Sequence, residues 1–156
     1  MLINEEQFLQ FIEDNDLQEK WFITQSDNYN LSEEEQQEIF YKEYIEETLK
    51  DNPEITALVI NQDISFTEAY QYIDDGKYLI YTEDQAEDAE YSWYNDYIED
   101  VIMHEIPDYI QAYFDTTKYI EDQLAYSDRG SALAPYDGME NYETVFGETY
   151  YIYRQF

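Results

Sequence analysis

The sequence predicts an α+β fold in which acidic helices pack on a small, largely antiparallel sheet with a C-terminal β-hairpin. Three observations favour this fold. Capping residues stand directly before segments in which apolar residues recur every three or four positions, as on one face of a helix. Two short runs rich in branched and aromatic residues have the length of strands. Three of the four glycines lie in the last 27 residues, as is typical of turns between strands.

Two capping signals predict helices in the first third of the chain. Asn4 can cap a helix over residues 4–15, whose apolar face consists of Phe8, Leu9, Phe11 and Ile12. Residues 17–24 fit either a strand or a further helix. Ser32, with Glu35 three positions later, predicts a capping box for a second helix that ends at Asp51-Asn52-Pro53. The apolar stripe of this second helix consists of Ile39, Phe40, Tyr44, Ile45 and Leu49.

The middle of the chain is predicted to form a β-α-β block. The run ITALVI (55–60) is short and branched, which favours a buried strand. The segment SFTEAYQYIDDG is typical of a short helix that ends at Gly76, and KYLIY (77–81) is typical of a second strand.

The second half begins with the longest predicted helix. Thr82 and Gln85 form a second capping box, and the helix is expected to reach about Met103. Its apolar side is predicted to consist of Ala86, Ala89, Trp93, Tyr97 and Val101. The segments DYIQAYFD and TTKYIEDQLAYSD indicate two further short helices. The run YETVFGETYYIYR alternates around Gly147-Glu148, which predicts a hairpin with a two-residue turn.

The chain is predicted to be a single acidic α+β domain over residues 1–156, with 1–81 and 82–156 as an alternative subdivision. It has no Pro- or Ser-rich linker and no internal repeat. Without cysteine it has no disulfide and no thiolate metal site. No apolar run approaches ~18 residues and no basic leader precedes one, so a cytoplasmic protein without membrane contact is expected.

Net charge is the feature that departs most from an ordinary protein. The chain has 38 Asp and Glu against 7 Lys and Arg, a formal −31 at pH 7. Self-repulsion at such a charge destabilises the compact state. Nucleic acid and anionic membranes would repel this chain, so direct binding to either is not expected. The expected partner is instead a basic nucleic-acid-binding protein. Formation of a homodimer is a further alternative that the sequence does not decide.

The second and the longest helix both present carboxylates at steps of three or four residues. Neighbouring charges on such a face stand about 5–6 Å apart. Phosphates of one DNA strand advance ~3.4 Å each along the axis and lie farther apart than this through space. The spacing therefore suggests charge mimicry of nucleic acid. The candidate partner-binding residues are Glu33, Glu34, Glu35, Glu38, Glu43, Glu46, Glu47, Asp51, Asp84, Glu87, Asp88, Asp96, Glu99 and Asp100.

The acidity of these helices is also compatible with roles that involve no mimicry. An ordinary solvated helix face is the simplest, although such faces mix Glu with Lys at i,i+4 and bases are missing from nearly every turn here. Adaptation to high salt, cation binding and a carboxylate-based enzyme are further alternatives. Crowding also raises carboxyl pKa values, so stability is expected to grow as pH falls from 7.

No catalytic residue, metal ligand or cofactor is predicted. His104 is the only histidine and has no second ligand at a known spacing. Asp14-Asn15-Asp16 resembles the start of a calcium loop, but Glu19 and Gln25 occupy the positions of its glycine and glutamate. Phosphate-binding and nucleophile motifs are absent. Arg129 and Arg154, the only arginines, both lie in the tail, where a structural bridge from an arginine to a carboxylate is expected.

The run IPDYIQAYFDTTKYIEDQLAY resembles a segment of the ArdA antirestriction family. The DRGSALAPYDGMEN loop and the YYIYR run that follow it resemble the tail of small phage and plasmid accessory proteins. Together the two resemblances cover residues 106–154. They imply an elongated acidic α+β protein that imitates duplex DNA and inhibits a restriction enzyme, a CRISPR effector or another defence nuclease.

Overall fold

The computed structural model describes all 156 residues and confirms the α+β class. The helices are Glu5–Asp14 (α1), Gln18–Asp27 (α2), Glu33–Phe40 (α3), Glu46–Asp51 (α4), Pro53–Gln62 (α5), Phe66–Asp74 (α6), Glu83–Tyr97 (α7), Met103–Glu105 (α8), Asp108–Gln111 (α9), Thr116–Tyr126 (α10) and Arg129–Leu133 (α11). The strands are Tyr78–Tyr81 (β1), Asn141–Val145 (β2) and Glu148–Arg154 (β3). No helix combines the length and apolarity needed to span a membrane.

The chain forms two compact units. The first consists of Met1–Asp75 and Glu143–Glu148, and the second consists of Gly76–Tyr142 and Thr149–Phe156. A subdivision after residue 81 would place β1 in the first half. The structure instead groups β1 with the second unit, because β1 pairs antiparallel with β3 in the register Tyr78↔Arg154 to Tyr81↔Tyr151.

Aromatic rings build the core of the first unit. Asn4 and Gln7 form the capping box of α1, and α2 is a helix, which decides between the two alternatives for residues 17–24. Phe8, Trp21 and Phe40 pack edge to face with ring centroids 5.2–5.8 Å apart. Such ring pairs contribute ~0.5–1.5 kcal/mol each beyond their buried area. Leu9, predicted to lie on the apolar face of α1, is instead exposed.

The run ITALVI is helical, so the predicted strand at 55–60 and the β-α-β block are wrong. Pro53 occupies the first turn of α5, where its missing N–H costs no hydrogen bond. The four consecutive residues 56–59 are all buried, because this helix is surrounded by protein on every side. A short apolar run has the same pattern in a buried strand and in a buried helix. The Thr56 hydroxyl donates to the Leu49 carbonyl at 2.8 Å and ties α5 to the preceding helix.

Two long acidic helices are each interrupted by a π-helical segment. The first acidic helix (residues 33–51) consists of α3, a π segment at Tyr41–Ile45 and α4, and ends at Asp51 as predicted. The second acidic helix (residues 83–105) consists of α7, a π segment at Ile98–Ile102 and α8. Thr82 and Gln85 form the predicted capping box. In the first acidic helix only half of the box is present, because the Ser32 hydroxyl donates to the Glu35 carboxylate.

The sheet has three strands in the order β1-β3-β2, and the C-terminal hairpin is confirmed. Its turn lies one residue earlier than predicted, at Phe146-Gly147. Both residues have positive φ, +50° and +81°, as a type I′ turn requires. Tyr153 of β3 packs in the second unit's core with Tyr94, Ile98, Ile120 and Leu133. The predicted tail loop contains a helix, α11, because Asp128 caps it by accepting from the Ser131 amide at 3.0 Å.

Candidate functional site

The first acidic helix carries its eight candidate carboxylates on the surface of the first unit. Glu38 and Glu46 are half-buried and the other six are exposed. Glu38 pairs with the N-terminal amine at 3.1 Å and with Lys42 at 3.8 Å, and Glu46 pairs with Lys50 at 3.1 Å. The six exposed carboxylates have no ion pair. Three of them are in the first turn, where the helix dipole favours negative charge.

The second acidic helix carries its six candidate carboxylates on the surface of the second unit. All six are exposed, and no ion pair involves them. They form two groups, at 84–88 and 96–100, whose starts are separated by roughly 18 Å at 1.5 Å per residue. The exposed rings of Tyr91 and Trp93 lie between the groups. The six carboxylates therefore do not form one continuous row, because aromatic side chains separate the two groups.

The buried side of the second acidic helix differs from the predicted one. The structure buries Ala86, Glu90, Tyr94 and Ile98, at uniform steps of four residues. Trp93, a member of the predicted apolar side, is 40% exposed and stacks on Tyr97 with ring centroids 5.5 Å apart. The burial of Glu90 could not be predicted, since a carboxylate among many others in the sequence gives no signal of burial.

Arg129 forms the expected bridge, and it holds two carboxylates instead of one. Its Nη1 and Nη2 donate to Glu83 at 2.8 and 3.0 Å. Its Nε and Nη2 donate to Glu140 at 2.7 and 3.3 Å. The guanidinium also lies 4.5 Å from the ring centroid of Tyr151, and Tyr153 donates its hydroxyl to Glu140. Bidentate contacts of this kind fix geometry as well as charge, so this cluster joins α7, α11 and β3.

The cluster shifts the pKa values of its members in opposite directions. Burial disfavours the charged form of Arg129, but its hydrogen bonds to Glu140 and Glu83 outweigh this effect and raise its pKa. The hydrogen bond from Arg129 lowers the pKa of Glu83 below its ordinary 4.5. Burial, followed by the hydrogen bond to Glu140, raises the pKa of Tyr153. Arg129 therefore stays charged and Glu83 stays ionised.

Glu90 is the carboxylate that this cluster leaves unpaired. It is 6% exposed, and its Oε2 has no hydrogen-bond partner. Burial raises its pKa, Arg129 opposes that shift, and the charges of Glu140, Asp128 and Glu87 reinforce it. An unpaired buried carboxylate is costly for a fold.

Many tyrosines are exposed instead of packed. Tyr109, Tyr113 and Tyr126 of the second unit are 78%, 85% and 90% exposed. Tyr41, Tyr78, Tyr94, Tyr150 and Tyr153 are buried in the core. Exposed tyrosines are favoured anchors in protein interfaces.

Residues considered for metal binding do not converge. His104 is exposed in the last turn of the second acidic helix. The Asp14 carboxylate accepts from Gln10 and Thr67. No group of three or more His, Cys, Asp or Glu side chains is placed to hold a metal ion.

No protein-family model, curated protein or solved structure matches this chain. The resemblances within residues 106–154, to the ArdA family and to small phage and plasmid accessory proteins, stay predictions.

Replacing Arg129 with Met is expected to destabilise the second unit by about 2 kcal/mol, because Glu83 and Glu140 lose their cation. Removing one partner of a fully buried pair costs ~3–5 kcal/mol. The side chain of Glu83 is 51% exposed and can turn to water, so the cost is smaller. Urea denaturation measures the change. The control is Arg154→Met, which loses stacking on Tyr136 at 3.8 Å and is expected to cost less than about 1 kcal/mol. Equal losses in the two variants would contradict a special role for the Arg129 cluster.

Replacing Glu90 with Gln is expected to alter how stability depends on pH. A carboxyl whose pKa is raised on folding stabilises the protein fully below its unfolded value, near 4.5, and this contribution is lost as pH rises through the folded value. The difference in unfolding free energy, variant minus wild type, should therefore grow from pH 4 to pH 7. Denaturation at several pH values measures it. Glu83→Gln, a control whose parent carboxyl has a lowered pKa, should be increasingly destabilised over the same interval. A difference in unfolding free energy between Glu90→Gln and wild type that does not change with pH would contradict a raised pKa for Glu90.

Proposed function

We propose that this protein is a DNA-mimic inhibitor that occupies the nucleic-acid-binding groove of a basic protein in a bacterial defence system, such as a restriction enzyme or a CRISPR effector. It acts by competition and performs no chemical step. The observation that carries the proposal is the pair of acidic helices, whose exposed carboxylates have almost no basic partners.

The lack of basic partners separates these helices from ordinary solvated faces. The second acidic helix contains nine Asp or Glu residues and no Lys or Arg. An ordinary helix surface gains ~0.2–0.5 kcal/mol from each i,i+4 pair of opposite charge, and this helix has none. The charge therefore gives the fold little stability and is available to a partner.

The density of charge is suited to a nucleic-acid groove. Within each group, neighbouring carboxylates lie about 5–6 Å apart on the helix surface, which is comparable to the spacing of phosphates along a strand. A basic groove would attract such a surface over a long range and accelerate encounter. Exposed rings beside the carboxylates, such as Tyr91 and Trp93, supply apolar contact where a nucleic acid would supply bases.

Capture followed by competition tests the proposal. Immobilised protein is expected to retain a basic nucleic-acid-binding protein from bacterial lysate, and duplex DNA should displace it. The Kd of the recovered pair should then rise steeply with ionic strength, because screening weakens attraction between exposed charges. A Kd that does not change with salt, or a partner that DNA does not displace, would contradict groove competition. Melting curves with and without molar salt distinguish adaptation to high salt, in which the protein would unfold at low salt.

A further inference from the structure

A cleft in the second unit combines an unpartnered carboxylate with an apolar wall. Glu90 lines it together with Glu87, Asp88, Tyr91 and Leu124, and its volume is about 360 Å³. Tyr91 and Leu124 are 47% and 38% exposed, whereas Glu90 is 6% exposed. The cleft thus lies between α7 and α10, with a buried charge in its wall and accessible apolar groups beside it.

Arg129, the cation whose charge acts on Glu90, is already engaged, and so is Arg154, the other arginine of the chain. All three guanidinium nitrogens of Arg129 donate to Glu83 and Glu140. Arg154 stacks on Tyr136 and donates to the backbone oxygen of Phe156. The Oε2 atom of Glu90 remains without a hydrogen bond, although buried polar atoms are nearly always paired. This arrangement is suited to a cation supplied from outside the chain.

We propose that the cleft lined by Glu87, Asp88, Glu90, Tyr91 and Leu124 binds the guanidinium group of an arginine side chain presented by the basic partner. This inference rests on the proposed function and adds a specific anchor to its long-range attraction. The partner's arginine would donate to Glu90 while Glu87 and Asp88 add negative charge at the rim.

The chemistry of the cleft favours guanidinium over other cations. A metal ion needs several ligands around one point, and no such group of side chains exists. Guanidinium is planar and weakly hydrated, and it stacks on aromatic faces, which fits the Tyr91 ring and the Leu124 side chain. An ammonium group is compact and strongly hydrated, so it gains less from such walls.

Titration of the full chain with N-acetyl-arginine amide tests the cleft without any partner. Saturable NMR shifts are expected at Tyr91 and at the Leu124 methyl groups, and N-acetyl-lysine amide should bind more weakly. Glu90→Gln should weaken arginine binding about tenfold or more, because a hydrogen bond to a charged group is lost. Leu124→Trp, which fills the cleft at a partly exposed position, should have the same effect. Glu13→Gln, which removes one exposed charge outside the cleft and outside both acidic helices, should leave binding unchanged.

Three results would overturn the inference. These are the absence of saturable shifts, lysine binding as tight as arginine binding, and unchanged arginine binding in both Glu90→Gln and Leu124→Trp. Circular dichroism establishes that each variant is folded. The same variants then enter the capture experiment. If a partner that duplex DNA displaces binds wild type and Glu90→Gln with equal Kd, the proposed arginine site at Glu90 is wrong, while the proposed competition for a nucleic-acid groove stands. If the arginine derivative binds but no DNA-displaced partner exists, the proposed function fails and the guanidinium site stands.

Discussion

A variant with five neutralised carboxylates on the second acidic helix is expected to bind the proposed basic partner roughly tenfold to hundredfold more weakly. Exposed ion pairs contribute ~0.2–1 kcal/mol each, and each 1.4 kcal/mol corresponds to a factor of ten in Kd. Glu87 and Asp88 are kept because both line the cleft beside Glu90. The substitutions are Asp84→Asn, Asp96→Asn, Glu99→Gln, Asp100→Asn and Glu105→Gln.

A matched control separates the effect of the row from that of total charge. It neutralises five exposed carboxylates outside the candidate set, so both variants carry the same net charge. These control substitutions are Glu13→Gln, Glu19→Gln, Asp27→Asn, Asp74→Asn and Glu148→Gln. The Kd of both variants is measured at two ionic strengths. Relative to wild type, it should rise mainly for the variant of the second acidic helix, and the Kd of that variant should depend less on ionic strength. Equal weakening in both variants would show that net charge, and not this row, decides binding.

Local signals predicted the helices well wherever a cap and a periodic stripe agreed. Asn4 and Thr82 begin helices at the predicted residues, and Ser65 caps α6 in the same way. These interactions join residues three positions apart, so the sequence contains both partners. The start of a helix is for this reason the most predictable feature of this chain.

Burial could not be predicted as well, because it depends on contacts between distant residues. The run at 55–60 is equally apolar as a strand and as a helix, and its burial depends on the residues that pack around α5 in the first unit. The π segments had no sequence signal. They insert a residue into the helical repeat, so positions after Ile98 depart from the face that a regular period predicts.

The surface position of the candidate carboxylates could be predicted from the sequence, but the cleft that Glu90 lines could not. All fourteen candidate carboxylates are exposed or half-buried, because a carboxylate without a partner stays in water. Glu90 breaks this rule, and its environment is assembled from α7, α10 and the Arg129 cluster. Only the tertiary structure brings these elements together.

Replacing Gly130 with Ala is expected to destabilise the second unit by about 3 kcal/mol, against the usual sign for such a change in a helix. Ala is normally more favourable than Gly in a helix interior by ~0.8–1.0 kcal/mol. Gly130 lies in α11, however, and a Cβ atom there would stand 2.3 Å from the Gly138 oxygen and 3.0 Å from the Glu140 nitrogen. Backbone atoms cannot rotate away, so the segment around Gly138 must move.

That movement would disturb the Arg129 cluster as well as the local packing. The Gly138 amide donates to the Ala134 carbonyl at 2.7 Å, and Glu140, two residues later, accepts from Arg129 and Tyr153. Overpacking alone costs ~1–3 kcal/mol, and the weakened charged hydrogen bonds add to this cost. Together the two losses exceed the gain in helix propensity.

Gly138→Ala provides the matched control, and urea denaturation of both variants measures the difference. A Cβ atom at Gly138 would meet no neighbour, but the backbone has φ +68°, so only strain of ~1–2 kcal/mol is expected. Gly130 has the opposite combination, a close backbone neighbour without a positive φ. A larger loss in Gly130→Ala would show that the close approach of α11 to the Gly138 segment holds the second unit together. A larger loss of stability in Gly138→Ala would contradict this role of the close approach. It would mean that the segment around Gly138 moves to accommodate a methyl group at residue 130 while Glu140 stays bonded to Arg129.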